Sequence, residues 1–207
     1  MSLDAKTLTN PVRKLRKALK NAPRKPSPDL VHDIRTQGRR LEASIVALRL
    51  DGEKVGRRLA ETIVPIRGEA GAVRDIDVLT RLASTLAKDA PDKCFTQLLK
   101  HLGSRRVRSA RKLHQTIAKH RKQARRNLKR YLALIRQHCE TLKLGTVESK
   151  EWERHAMATA LEISTELADY PRLEATNLHA FRLQVKQLIY VLKLAGNSDS
   201  AYLDALS

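Results

Sequence analysis

Apolar residues recur at helical spacing along most of the chain, and no segment alternates with the two-residue period of a β-strand. The clearest case is Val31–Leu50, where Ile34, Leu41, Ile45 and Leu48 fall on one face at about 100° per residue. This pattern predicts an amphipathic helix that packs through one side and presents the other to solvent or to a ligand.

Signals for the start of that helix precede it directly. Ser27 can cap the helix, Pro28 suits its first position, and Asp29 suits the positive end of the helix dipole. The proline-rich segment before it, from Asn21, predicts a connector, and we expect the helix to end near residues 51–52.

Five further segments carry helical spacing. Pro65 and Gly68 predict a kink or a break inside one of them, and Gly103 predicts an interruption in the next. Gly145 suits a helix C-cap. The five predicted helices run from Leu8 to Leu19, Glu53 to Lys88, Lys93 to Leu144, Glu148 to Ala168 and Leu178 to Ala195.

The segment Leu178–Ala195 repeats the polar pattern of Val31–Leu50. In each, a histidine is followed after three residues by an arginine, and after four more by another basic residue, which indicates an internal duplication. The matching residues are His32, Arg35 and Arg39 in the first segment and His179, Arg182 and Lys186 in the second.

The second histidine segment has its own predicted faces. Thr176 or Asn177 is positioned to cap it, and Tyr190 and Lys193 extend its polar row. Its expected apolar stripe consists of Phe181, Val185, Leu188 and Leu192.

These segments resemble a known family. VHDIRTQGRRL and LHAFRLQVKQLIY are similar to the two histidine signatures of the CHAD family, the conserved-histidine α-helical domain, and 68–82 resembles the segment after the first signature, with Arg74, Asp75 and Asp77 in place. The resemblance runs from about Leu8 to Gly196. It implies an all-helical fold of two four-helix repeats whose inner basic surface binds inorganic polyphosphate.

We therefore predict an all-α fold, a helical bundle of two related repeats of up to four helices each. A single domain would span 1–207, with the first repeat at about 6–145 and the second at about 146–207. The second repeat lacks a match to the Arg74-Asp75 segment, so we expect it to be incomplete. The two histidine helices should face one another across a basic groove or channel.

The net charge and the aromatic content of the chain predict the kind of partner that it binds. The formal net charge is +19, while aromatic residues make up 3% of the chain, so we expect an aliphatic core and a polyanionic partner or surface. Cys94 and Cys139 have no metal-like spacing and read as reduced thiols. With no apolar leader and no apolar segment of membrane-spanning length, we expect a cytoplasmic protein, with polyphosphate granules as a candidate place of association.

Nucleic acid is the main alternative partner. The segment Arg105–Arg130 is very basic and would bind phosphate backbones of any kind, or be a solvated face without a specific role. Single-strand binding would favour aromatic side chains within the basic surface, and Tyr131 and Tyr190 are the plausible stacking residues, because Trp152 has acidic neighbours. Polyphosphate needs no stacking, and guanidinium groups bind phosphate in a bidentate way.

Two further alternatives concern the histidines. A phosphoacceptor role is possible for a helical histidine, but two equivalent histidines in a basic chain fit repeated binding of a long anion better. Metal binding is less favoured, because the companions of His32 and His179 are cations and Asp75 and Asp77 are expected to orient arginines. With no nucleophile–base pair and no glycine-rich phosphate loop, we predict binding without catalysis, cofactor or metal.

The predicted site is a set of basic and histidine side chains. The arginines and lysines should contact phosphate, the two histidines should act as secondary hydrogen-bond donors, and Arg74 is placed by the family resemblance alone. The set comprises His32, Arg35, Arg39, Arg40, Arg74, His179, Arg182, Lys186 and Lys193.

Overall fold

The fold is all-α, as predicted. The structure, a computed structural model, describes residues 5–89, 92–143 and 149–194, and these contain helices and no strands. None of the described helices is both long enough and apolar enough to cross a membrane. The helices are α1 (Ala5–Lys20), α2 (Pro28–Ala47), α3 (Lys54–Asp89), α4 (Lys93–Lys143), α5 (Ser149–Ala168) and α6 (Leu178–Leu194).

The described residues form two compact units, and helices α1 to α4 each contribute to both. Helices α5 and α6 pack together within the first unit. The division into repeats at 6–145 and 146–207 stays a prediction. Unit 1 contains 5–13, 39–60, 127–143 and 149–194, and unit 2 contains 14–38, 61–89 and 92–126.

The apolar face predicted for α2 is the buried face. Ile34, Leu41, Ile45 and Leu48 are each at most 3% exposed, and the core around them is mainly aliphatic. Burying a side chain of this size contributes roughly 1.5–3 kcal/mol, so this stripe fixes which side of α2 remains outside.

The ends of α2 explain its length. The Leu30 amide donates to the Ser27 hydroxyl oxygen at 3.2 Å, which confirms the predicted cap. At the other end the Leu50 amide donates to the Ile45 carbonyl and the Arg49 amide to the Val46 carbonyl, both at 2.9 Å. This paired C-terminal closure, with Arg49 at φ 53°, ends the helix at Ala47 rather than near 51–52 as predicted.

The break predicted as one alternative at Pro65 and Gly68 is wrong, and so is the interruption predicted at Gly103, while the alternative of a kink at Pro65 stays a prediction. Helix α3 runs without a break through Pro65 and Gly68, and α4 runs through Gly103. All three residues are exposed, so the missing proline N–H and the missing glycine side chains do not disturb a buried face. Packing of the opposite faces of these helices outweighs a local cost of about 1 kcal/mol per glycine.

Two glycines of α3 should respond to substitution in opposite directions. A Cβ on Gly56 would overlap the carbonyl oxygen of Leu50 and lie 2.6 Å from its carbonyl carbon, whereas a Cβ on Gly68 would meet nothing within 4 Å. We expect Gly56→Ala to lower the free energy of unfolding by about 1–3 kcal/mol and Gly68→Ala to raise it by about 0.5–1 kcal/mol. Urea denaturation measures both, and destabilisation by Gly68→Ala would contradict the account.

Candidate functional site

Helices α2 and α3 approach closely in unit 2. A Cβ built on Gly38 would lie 3.2 Å from the Cβ atom of Arg67 and 3.6 Å from the Cγ2 atom of Ile63. Glycine suits this position because a larger side chain would clash with α3. The close approach brings the polar residues beside Gly38 near those of α3.

Arg35, one turn earlier on α2, also lies over α3. Its Nε atom is 4.0 Å from the position of a Cβ on Gly71. This contact is one turn further along α3 than the contact at Gly38, so the two helices run antiparallel here. Arg74, three residues after Gly71, then falls level with His32 on α2.

The predicted site residues of unit 2 thus lie along one pair of helices. His32 is exposed, and its Nε2 atom is 3.5 Å from the Thr36 hydroxyl oxygen; Arg35 and Arg74 are half-buried. Within the described part of the chain, neither arginine side chain forms a hydrogen bond or an ion pair with another residue. Both guanidinium groups therefore keep their donors for an external anion.

Helix α6, in unit 1, carries His179, Arg182, Lys186 and Lys193 of the predicted site and Tyr190 of the predicted polar row. Spacings of three, four, four and three residues place them on a single helical face. His179, Arg182 and Lys193 are exposed on this face, while Lys186 and Tyr190 are half-buried. We call this surface the α6 basic face, and its members are His179, Arg182, Lys186, Tyr190 and Lys193.

Arg40 of the first signature joins the α6 basic face. Its guanidinium carbon lies 5.8 Å from the ring centroid of Tyr190, within the range of a cation–π contact. Lys186 lies four residues before Tyr190 and Lys193 three residues after it, on the same helical face. Arg39 lies in the same unit and is half-buried. The sequence pattern does not predict this contact, because it joins residues from two helices that are far apart in the chain.

The packing face of α6 differs from the prediction. The buried residues are Leu188, Ile189, Val191 and Leu194, so of the predicted stripe only Leu188 is fully buried. The helix is rotated relative to the expected orientation, and Ile189 packs inward. The remaining predicted stripe residues, Phe181, Val185 and Leu192, are half-buried.

Asn177, one of the two predicted caps, occupies the N-cap position of α6 through its backbone. Its backbone carbonyl begins the helix by accepting from the Phe181 amide at 3.0 Å. Its side chain instead accepts from the Glu174 amide at 2.8 Å and donates to the Arg172 carbonyl at 3.0 Å. The amide group therefore orders the preceding loop, which Tyr170 joins by donating to the Asn177 carbonyl at 3.3 Å.

Tyr131 cannot stack on a base, contrary to the sequence interpretation. It is fully buried, and its hydroxyl donates to the Ser44 hydroxyl at 2.8 Å, because Ser44 in turn donates to the Leu41 carbonyl at 2.8 Å. Burial raises the pKa of Tyr131. Trp152 is also buried, stacked on His138 with 3.6 Å between ring centroids.

The acidic residues expected to orient arginines divide between two environments. Asp77 is buried and accepts from the Nε atom of Arg106 at 2.6 Å, while Asp75 is exposed. Arg106 also donates to the Pro26 carbonyl at 3.0 Å. Asp77 therefore has a structural role. Across the described residues, no group of three or more histidine, cysteine, aspartate or glutamate side chains is arranged to hold a metal ion.

Comparison with known proteins identifies the family of this chain. The family model described as the CHAD domain matches residues 7–206, essentially the whole chain. No curated protein and no solved structure matches the chain. The matched family is associated with polyphosphate binding. Because the match extends from the start of α1 through both histidine signatures, the chain belongs to the CHAD domain family.

Proposed function

We propose that this protein binds inorganic polyphosphate, without catalysis, through the basic side chains of its two histidine signatures. In unit 1 the binding surface is the α6 basic face together with Arg39 and Arg40. In unit 2 it is formed by His32 and Arg35 of α2 with Arg74 of α3. Arginine supplies bidentate hydrogen bonds to phosphate oxygens, and lysine supplies compact positive charge.

One observation carries this proposal. The guanidinium carbon of Arg40 lies 5.8 Å from the centroid of the Tyr190 ring, so a residue of the first signature meets the helix of the second. Clustering like charges is unfavourable in the absence of an anion, and a bound polyanion would relieve the repulsion. The grouping of positively charged side chains on the α6 basic face therefore supports binding of a phosphate polymer.

Nucleic acid is less well suited to this surface. Sequence-tolerant binding of single strands relies on bases stacked on exposed aromatic rings. Tyr131 and Trp152 are buried, Tyr190 is half-buried beneath Arg40, and Phe181 packs edge-on against Tyr170 at 5.1 Å. Inorganic polyphosphate has no bases, so its affinity does not depend on exposed aromatic rings.

Binding without hydrolysis follows from the charges around the histidines. His179 shares its helical face with Arg182, and His32 shares its helix with Arg35, so both histidines have cationic companions. Metal-assisted attack on phosphate needs carboxylates or several histidines together. We accordingly propose that the histidines donate hydrogen bonds to phosphate, and that the protein acts in the cytoplasm, with polyphosphate granules as a site of association.

Polyphosphate should displace nucleic acid from this protein at physiological salt. Titration of a complex with labelled RNA or DNA, at matched phosphate concentration, measures the competition directly. Affinity should fall with salt, with a log–log slope of roughly −0.7 per neutralised phosphate if single-stranded nucleic acid is a fair guide. RNA that binds as tightly as polyphosphate, or more tightly, would favour the nucleic-acid alternative.

A further inference from the structure

The end of α3 and the start of α4, a few residues apart in the chain, form an antiparallel hairpin within unit 2. Asp77 of α3 pairs with Arg106 of α4, and a small buried cluster lies beside this pair. The cluster consists of residues from these two helices, namely Ile76, Ala83 and Leu102, with Leu99 packed against it. The hairpin therefore buries a narrow seam and leaves apolar surface outside it.

A row of leucines lies exposed on α3 beside this seam. Leu79, Leu82 and Leu86 are spaced by three and four residues, so they share one helical face. They are 49%, 56% and 48% exposed, and Leu98 of α4 is 43% exposed. Single exposed leucines need no explanation, but a continuous group of them indicates a contact surface.

Leu98 lies on the same side of the hairpin as the leucine row of α3. It directly precedes Leu99, which packs in the seam, and Leu86 directly precedes the half-buried Ala87. In an antiparallel pair of helices, positions that stand in this relation to the seam flank the same side of it. The four residues therefore form one surface, which we call the leucine face of the hairpin: Leu79, Leu82, Leu86 and Leu98.

The charges beside the leucine face indicate the kind of partner that fits it. Arg105, Arg108 and Lys112 follow Leu98 along α4 at helical spacing, and all three are exposed. A second copy of the chain would bring together two molecules that each carry a formal charge of +19. Anionic lipid would be repelled by the exposed Asp75, which continues the leucine row of α3 by one turn. An acidic segment of another protein meets neither obstacle.

We propose that the leucine face is a docking site for an acidic amphipathic helix of a partner protein. The apolar residues of the partner helix would pack on the leucines, and its carboxylates would lie along Arg105, Arg108 and Lys112. The three- and four-residue spacing of the leucine row matches the repeat of a helix that lies along α3. None of the four leucines belongs to the proposed phosphate-binding residues, so docking does not depend on polyphosphate binding.

Fluorescence anisotropy of a labelled model peptide, titrated with the full chain, tests this proposal. The peptide has about three heptads with leucine at both core positions and glutamate at the flanking positions, which keeps it from pairing with itself. Its control is a peptide of the same composition in scrambled order. The unaltered protein should bind the ordered peptide at least about tenfold more tightly than the scrambled one, because burial of the leucines adds to the attraction between charges.

A pair of double variants assigns the binding to the leucine face. Leu82→Gln with Leu86→Gln should weaken binding of the ordered peptide roughly tenfold, because it removes much of the apolar contact. The matched control is Leu161→Gln with Leu173→Gln, which removes exposed leucines from α5 and from the loop after it and should change affinity by less than about twofold. Circular dichroism verifies the fold, and Leu82→Gln alone, at the most exposed of the four positions, should weaken binding in the same direction.

Equal binding of the ordered and scrambled peptides would overturn the proposal, as would an equal loss in the two double variants, since total charge alone would then determine binding. A lack of binding to the ordered peptide would overturn it as well. Sedimentation with vesicles of phosphatidylglycerol and phosphatidylcholine, and sedimentation equilibrium of the protein alone, identify the other occupants. Vesicle binding or dimerisation that is lost in the Leu82 and Leu86 double variant, without binding of the peptide, would assign the leucine face to a membrane or to a second copy instead.

Discussion

Replacing Arg182 and Lys193 together by alanine should lower the affinity for long polyphosphate roughly a hundredfold. Each charge-assisted hydrogen bond contributes roughly 1.5–3 kcal/mol, and the exposed setting favours the lower end of that range. Both side chains lie on the α6 basic face and are exposed, so the variant should fold normally. Calorimetry at fixed salt gives the affinity, and thermal unfolding checks the fold.

The matched control removes the same charge elsewhere. Arg125 and Arg126 are exposed residues of α4, and their double alanine variant has the same net charge as the signature variant. If the α6 basic face is specific, the control should lose only a small part of the affinity. A comparable loss would mean that total charge alone determines binding, and the basic stretch of α4 would then be as important as the signatures.

Helix α2 shows how far sequence pattern can determine structure. Its cap at Ser27 and its buried stripe both follow from local periodicity and capping, and both are present in the structure. Only its end differs, because closure at Arg49 depends on a residue in the left-handed region where glycine is the usual signal. The Arg49 side chain is also paired with Glu162 on α5, at 3.3 Å, a contact that no local pattern contains.

Helix α6 shows why the same reasoning failed elsewhere. Apolar residues fill positions 188, 189, 191, 192 and 194, so several helical faces are nearly equally apolar and the sequence does not select one. Contacts between distant segments decide the orientation. For the same reason the Arg40–Tyr190 contact could not be predicted, since it joins residues from different helices.

Asp77, in the segment that resembles the CHAD family, stabilises the elements that carry the predicted binding residues of unit 2. Asp77 lies one turn after Arg74 on α3, and only 8% of the residue is exposed to solvent. Its Oδ1 atom binds Arg106, while its Oδ2 atom is buried without a hydrogen-bond partner among the described residues. Arg106 also holds the Pro26 carbonyl, in the connector that leads into α2. Asp77 and Arg106 therefore join α3, α4 and the connector before α2 within unit 2.

Replacing Arg106 by methionine should lower the free energy of unfolding by about 3–5 kcal/mol. The change leaves the Asp77 carboxylate buried with neither of its oxygens paired, and an uncompensated buried charge is far more costly than the loss of the ion pair itself. Urea denaturation measures the effect. Arg105→Met, at the exposed neighbouring position, is the control and should change stability by less than about 0.5 kcal/mol.

The double variant separates these contributions. Combining Arg106→Met with Asp77→Leu removes both charges, so it should be more stable than Arg106→Met alone, although the bond to the Pro26 carbonyl is lost in both. Recovery would show that the unpaired carboxylate causes most of the cost. If the double variant is as unstable as the sum of the single changes, the two residues act independently, and the role assigned to Asp77 is wrong.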